Sequence, residues 1–175
     1  TKYLILPQNI YITDDTLLGY TSKIKEAKTI RNISLNSKYD DVIKSFKLLR
    51  KDIRILADKD IFNYDTTSDN ILYDGRMYLI DFDNCIYFDD IDLAYKIMGM
   101  SLFNLIIDRM LDSYDLNWLN DIDINYIKEE IDNLESTDYI AFINLLRLKI
   151  ARKSQEKIET VGDMRRCLRN EKLWQ

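Results

Sequence analysis

The chain contains no histidine. That removes imidazole general acid/base chemistry and imidazole metal ligation, and with them the Ser-His-Asp and Cys-His hydrolases. Any metal must then be held by oxygen, which points to Mg²⁺, Mn²⁺ or Ca²⁺. Glycine (4) and proline (1) are scarce, so long flexible linkers are excluded. The two cysteines, Cys85 and Cys167, lie far apart and form no CxxC pair, which favours free thiols in a reducing, cytoplasmic setting over a disulfide. No apolar run reaches the length of a membrane span, and no signal peptide is visible. Neither a membrane nor a nucleic acid is expected as partner, since 25 basic residues stand against 30 acidic ones, net −5, where a phosphate-backbone binder carries a basic face. A local basic patch stays compatible with that balance.

What is present is an ordinary globular composition, 46% apolar over 175 residues, enough for one domain or most of one. The chain opens on Thr1 rather than Met, which leaves room for preceding sequence. No internal repeat or low-complexity tract is seen. The first residues read as strands: Tyr3–Leu6 before Pro7, then Asn9–Ile12 and Leu17–Ile24 flanking the turn residues Asp14-Asp15. Val42, Phe46, Leu49, Ile53 and Leu56 alternate spacings of four and three between charged residues, an amphipathic helix with one apolar stripe, which Asn36 or Ser37 could cap. Two β-rich runs then flank Asp74-Gly75, the signal for a hairpin with a type I′ turn. Ile91 to Leu111 is apolar on nearly every side and predicts a helix at the centre of a domain. Further helices are expected over Ile124–Leu134, Thr137–Ser154 and Val161–Lys172. A β-rich start, a central hairpin and then helices imply an α+β fold with the helices gathered in one lobe.

The stretch NYDTTSDNILYDGRMYLIDFDN, Asn63 to Asn84, carries the chemistry. A hairpin returns the chain on itself, so Asp65 and Asn70 before it should meet Asp81 and Asp83 after it. Carboxylates and an amide oxygen make a hard site suited to Mg²⁺ on phosphates, with one carboxylate left to accept a proton from a hydroxyl. Taken one at a time, these residues are equally at home in Asx turns.

In this spacing the stretch resembles the catalytic core of the protein-kinase-like superfamily: an Asp followed five positions later by Asn, then DFD (Asp81-Phe82-Asp83) where a DFG triplet stands. The continuation DNCIYFDDIDLAY, with Asp92-Leu93-Ala94 opening a helix, is similar to the aminoglycoside-phosphotransferase and choline-kinase branch. The resemblance is densest from Asp65 to Ala94. It implies a protein-kinase-like fold seen mainly as its helical C-terminal lobe: residues 1–24 as a small-lobe remnant and hinge strand, 25–175 as the large lobe. It implies Asp65 as catalytic base, Asn70 and Asp81 as Mg²⁺ ligands, and Asp83 as accessory ligand or as a residue orienting its neighbours. GYTSKI (Gly19–Ile24) resembles the strand entering the hinge, so Thr21, Ser22, Lys23 and Ile80 would border ATP. Asp92 would cap its helix or tie it to the catalytic loop. The partners implied are a nucleotide and a hydroxyl-bearing acceptor; acidity favours a cationic one, and oligomeric state is open.

The sequence departs from the pattern in four places. Asn63 stands where a His or Tyr is frequent, and Thr67 where Lys or His is usual. No Gly-rich loop and no Lys–Glu pair for the α/β-phosphates can be located. These absences support a second reading, a catalytically inactive pseudokinase or binding module. Arg50–Arg54 and Asp163–Arg169 read as charged helix faces first and as binding patches second.

Overall fold

The computed structural model describes residues 2–111 and 139–169. The helix expected over Ile124–Leu134 lies outside the described residues. The chain is mixed α and β, in two compact units: Thr1–Ile33 with Lys44–Leu105, and Ser34–Ile43 with Ile106–Gln175.

In the first unit, β1 (Pro7–Thr13) and β2 (Thr16–Ser22) form an antiparallel hairpin. Its two turn residues, Asp14 and Asp15, both have positive φ, 47° and 60°. That is the twist a two-residue hairpin loop requires, and Asp tolerates it better than most residues. The expected strand Tyr3–Leu6 is reduced to one parallel bridge, Leu4 to Leu79. The N–H of Ile5 donates to the Leu79 carbonyl and the N–H of Leu79 to the Tyr3 carbonyl, both at 2.9 Å. The Asp52 carboxylate takes the N–H groups of Lys2 and Tyr3 at 2.7 Å each, so two donors that a ladder would use are satisfied by a side chain.

β3 (Lys28–Thr29), β5 (Ile71–Tyr73) and β6 (Met77–Leu79) form an antiparallel sheet in the order β3-β5-β6. Ile71, Met77 and Leu79 are fully buried, and this burial fixes the register. The hairpin at Asp74-Gly75 is present, but its turn differs from the expected type I′. Tyr73 pairs with Met77, leaving a three-residue loop in which only Gly75 has positive φ, 96°. The Asp74 carboxylate accepts the Arg76 N–H at 3.1 Å, an Asx turn that does the work of a second left-handed residue. β4 (Ile61–Asn63) and β7 (Cys85–Tyr87) pair antiparallel, with Asn63 opposite Cys85.

Helix α1 (Tyr39–Ala57) buries Val42, Phe46, Leu49, Ile53 and Leu56, the stripe read from the sequence. It starts three and two residues later than Asn36 and Ser37, so neither is in capping position; the Val42 N–H is met by the Lys38 carbonyl. Helix α2 (Ile91–Leu111) has the expected bounds. Its burial is one-sided, however: Ala94, Met98, Leu102, Ile106 and Met110 repeat every fourth residue on the buried face, while Leu93, Ile97 and Met100 are each more than a third exposed. Asp90, not Asp92, caps α2, accepting the Leu93 N–H at 2.9 Å. Asp92 instead pairs with Arg54 at 2.9 Å.

The second unit contains α3 (Tyr139–Ser154) and α4 (Val161–Arg169). The Tyr39 ring is fully buried, its hydroxyl donating to the Ile143 carbonyl at 2.7 Å and its face lying 4.7 Å from the Arg147 guanidinium. Val161, Met164, Cys167 and Leu168 are the buried face of α4. Among the described residues no helix is long and apolar enough to cross a membrane.

Candidate active site

The site is assembled by three asparagines. Asn63 ends β4 almost fully buried. A buried amide needs partners for both its ends. Its Oδ1 accepts the Asp65 N–H at 2.8 Å, and its Nδ2 donates to the Asp81 carbonyl at 3.2 Å. One side chain therefore ties the loop bearing Asp65 to the segment bearing Asp81. Asn63 thus has a structural task.

Beyond Asp65 the chain turns on itself. The Thr67 N–H donates to the Asp65 carbonyl at 2.9 Å, and the Asn70 N–H to the Thr67 carbonyl at 3.2 Å. This places the Asn70 amide beside Asp65. Its Nδ2 donates at 3.0 Å to both the Asp65 carbonyl and Asp65 Oδ2. Asn84 donates to the same Oδ2 at 3.1 Å and accepts from the Tyr64 hydroxyl at 3.4 Å. Both amides thus converge on one carboxylate oxygen, leaving Asp65 Oδ1 as the open acceptor. Across the hairpin, the Ile80 N–H donates to the Asn70 carbonyl at 2.9 Å, which sets Asp81 one residue from a ladder bond to Asn70. Asp65 and Asn70 are in direct contact, whereas Asp81 is tied to them through the backbone, its carbonyl to Asn63 and the neighbouring Ile80 N–H to Asn70.

Asp81 is exposed and its backbone is left-handed, φ 61°. This turn directs the chain out of β6, and the Asp81 carbonyl is held there by Asn63. Asp81 Oδ1 accepts the Asp83 N–H at 3.3 Å and the Tyr20 hydroxyl at 3.4 Å. Burial, together with the Asp83 carboxylate beside it and the charges of Asp83 and Asp81, pushes the Tyr20 hydroxyl up to about 12, so it stays protonated and donates. Burial, with the same two carboxylates behind it, pushes the Cys85 thiol up to about 11.

The residues expected around a nucleotide are more dispersed. Thr21 and Ser22 are exposed at the end of β2, where Thr21 Oγ1 accepts from Asn9 at 2.9 Å across the hairpin. Lys23 is exposed and lines a groove of about 560 Å³ with Pro7, Ile24 and Tyr78. Ile80 is half-buried and joined to Asn70. From β2 it is Tyr20, rather than Thr21, Ser22 or Lys23, whose side chain meets the carboxylates. Tyr20 and Asn84 are the functional candidates that sequence reasoning missed. Nothing local marks Tyr20 among twelve tyrosines, whereas Asn84, three residues past Asp81, was open to the same hairpin argument as Asp83.

The side-chain acceptors here are carboxylate and amide oxygens. Asn70 has committed its amide nitrogen twice to Asp65, which leaves Oδ1 as its acceptor end. The Asp81 carboxylate accepts the Asp83 N–H and the Tyr20 hydroxyl. Among the described residues no group of three or more His, Cys, Asp or Glu side chains is gathered in a way that could hold a metal. In comparisons with known proteins, no family model, no curated protein and no solved structure matches this chain.

Proposed function

We propose that the chain carries the large-lobe machinery of a kinase-like phosphotransferase of the aminoglycoside-phosphotransferase and choline-kinase type, transferring the γ-phosphate of ATP to a hydroxyl. The observation that carries this reading is the Asp65 carboxylate, held on Oδ2 by Asn70 and Asn84 with Oδ1 open, and joined through Asn63 to the segment of Asp81. An acceptor hydroxyl hydrogen-bonds to Asp65 Oδ1. As its oxygen bonds to the γ-phosphorus, the bond from phosphorus to the nucleoside diphosphate breaks and the hydroxyl proton passes to Asp65. The two amides fix the carboxylate's rotation, so the acceptor is positioned before reaction. Asn70 Oδ1 and Asp81 are the residues to hold Mg²⁺, with Asp83 as accessory, and the ion would neutralise phosphate charge.

A second reading, a binding module without turnover, is favoured by the lack of a Gly-rich loop and by the Tyr20 hydroxyl lying 3.4 Å from Asp81 Oδ1. Thermal unfolding with ATP and Mg²⁺, followed by release of ADP with hydroxyl acceptors, separates the two. The phosphotransferase reading expects stabilisation of about 2.7 kcal/mol at one hundred times Kd. It expects Asp81→Asn to abolish that stabilisation, and Asp65→Ala to keep it while losing transfer. Stabilisation without transfer in the unaltered chain supports the binding module; no stabilisation at all sinks both.

A further inference from the structure

The hairpin of β1 and β2 differs in composition from the rest of the chain. Charged residues make up 31% of the sequence, yet none of the seven residues of either strand is charged, and Asp14-Asp15 at the turn carry the hairpin's charge. Ile10, Tyr11, Ile12 and Leu18 are each more than half exposed. Among the described residues the two strands form a sheet of their own, so each keeps an outer edge of N–H and C=O groups. A two-stranded sheet is marginal by itself, and an uncharged edge invites a further strand.

The register shows which edge is fit to receive one. On β2 the pairing passes from Gly19 opposite Tyr11 to Leu17 opposite Ile12, so Leu18 is an extra residue that breaks that edge. On β1 the extra residue is Gln8, which leaves Asn9 to Thr13 unbroken. These five residues, NIYIT, read the same by type in both directions: polar, Ile, Tyr, Ile, polar. A second β1 laid antiparallel, with Tyr11 on the two-fold axis, pairs Tyr11 of one copy with Tyr11 of the other, Ile10 with Ile12, and Asn9 with Thr13. Each side chain then meets its own kind on its own face, which is the self-complementarity an isologous contact requires. The two Asp14-Asp15 turns go to opposite ends, about 20 Å apart at the usual rise of a strand. That exceeds the screening length of about 8 Å at physiological salt, so their repulsion is weak.

We propose that two copies of this chain associate through β1, pairing residues 9–13 antiparallel about Tyr11 into a four-stranded sheet of order β2-β1-β1-β2. The contact is independent of the phosphotransferase reading, since it uses none of Asp65, Asn70 and Asp81. Sedimentation equilibrium of the whole chain over a range of concentrations should show a reversible monomer–dimer equilibrium. Changing both Ile10→Lys and Ile12→Lys gathers ammonium groups from both copies on one face of the joint and should raise the dissociation constant about tenfold or more. Leu18→Lys, on the other strand, should leave it unchanged. All three positions are exposed, so these variants should keep the parent's urea midpoint at concentrations where the chain is monomeric. Tyr11→Cys tests the register, because antiparallel partners lie about 4.5–5.5 Å apart between Cα atoms, a spacing a disulfide accepts. Mild oxidation should join two Tyr11→Cys chains at position 11, as read by mass after proteolysis. It should not join Thr13→Cys chains at position 13, which faces Asn9 of the other copy. A monomer at every concentration, as when a strand of a different protein completes the hairpin, would overturn the proposal. So would a dimer that the paired lysine changes leave intact or that Leu18→Lys weakens as much, or one joined as readily at position 13 as at position 11.

Discussion

Asn63 is the residue on which most of the site depends, because it is both buried and bifunctional. Asn63→Leu keeps the volume but strands the Asp65 N–H and the Asp81 carbonyl. Leaving such groups without partners costs about 1–3 kcal/mol, so the urea midpoint should fall accordingly. Thr67→Ala is the matching control. Thr67 is exposed and contributes its backbone N–H, which the substitution keeps, so stability should stay within about 0.5 kcal/mol. A midpoint for Asn63→Leu as high as that of Thr67→Ala would show that the amide does not join the two segments. Asp81 needs a similar distinction. At φ 61° an alanine adds backbone strain of about 1–2 kcal/mol, whereas asparagine tolerates the conformation. Asp81→Asn therefore removes the charge alone, and any loss of Mg²⁺-nucleotide binding it causes is attributable to the carboxylate.

At the scale of elements, α4 shows how a short helix is started. Thr160 and Asp163 form a reciprocal capping box. Thr160 Oγ1 accepts the Asp163 N–H at 3.1 Å, and Asp163 Oδ2 accepts the Thr160 N–H at 2.9 Å and that of Glu159 at 3.1 Å. Partial burial raises the Asp163 carboxyl, but the bonds from the Thr160 hydroxyl and the two backbone N–H groups outweigh it, and the net shift is downward. A carboxylate depressed in the folded state stabilises it above the unfolded pKa and ceases to as pH falls through the folded value. Asp163→Asn should thus destabilise the protein at pH 7, and its gap from the parent should close as pH drops below about 4. Urea titrations across that range measure it; a gap constant with pH would mean the charge contributes nothing. The T-x-x-D pattern was open to reading before Val161, as was the stripe of α1, because both are set by residues three and four apart. The contact of Asp65 with Asn70 was legible because the two are five residues apart on one loop, while Asp81 is joined to that loop only through Asn63 and the Ile80 backbone. What escaped depends on distant partners. β4 and β7 are three residues each, paired across more than twenty, and too short for any periodicity. Tyr3–Leu6 carries a strand-like pattern, but Asp52 takes the Tyr3 N–H and only one bridge, Leu4 to Leu79, is left. The side of α2 bearing Leu93, Ile97 and Met100 is as apolar as its buried face, so its sequence gives no sign of which side is covered.

On the scale of the whole molecule, the two cysteines fall one in each compact unit and are both free thiols. Their surroundings differ enough to make them separate reporters. Cys85 is half-buried, and burial with the Asp81 and Asp83 carboxylates holds its thiol up at about 11. Since the thiolate is the nucleophile, Cys85 should be alkylated slowly at neutral pH, with a rate rising tenfold per pH unit until it levels near about 11. Cys167 is 1% exposed on the buried face of α4 among Val161, Met164 and Leu168. Reagent reaches it only when that face opens, so its labelling rate should track unfolding of its unit. In native buffer Cys85 alone should react within hours, as read by mass after proteolysis. With added urea, Cys167 labelling should rise along the unfolding transition seen by circular dichroism. Rapid native labelling of Cys167 would mean that α4 opens far more readily than its burial implies. Equal rates at the two thiols would remove the difference in environment on which the assignment rests.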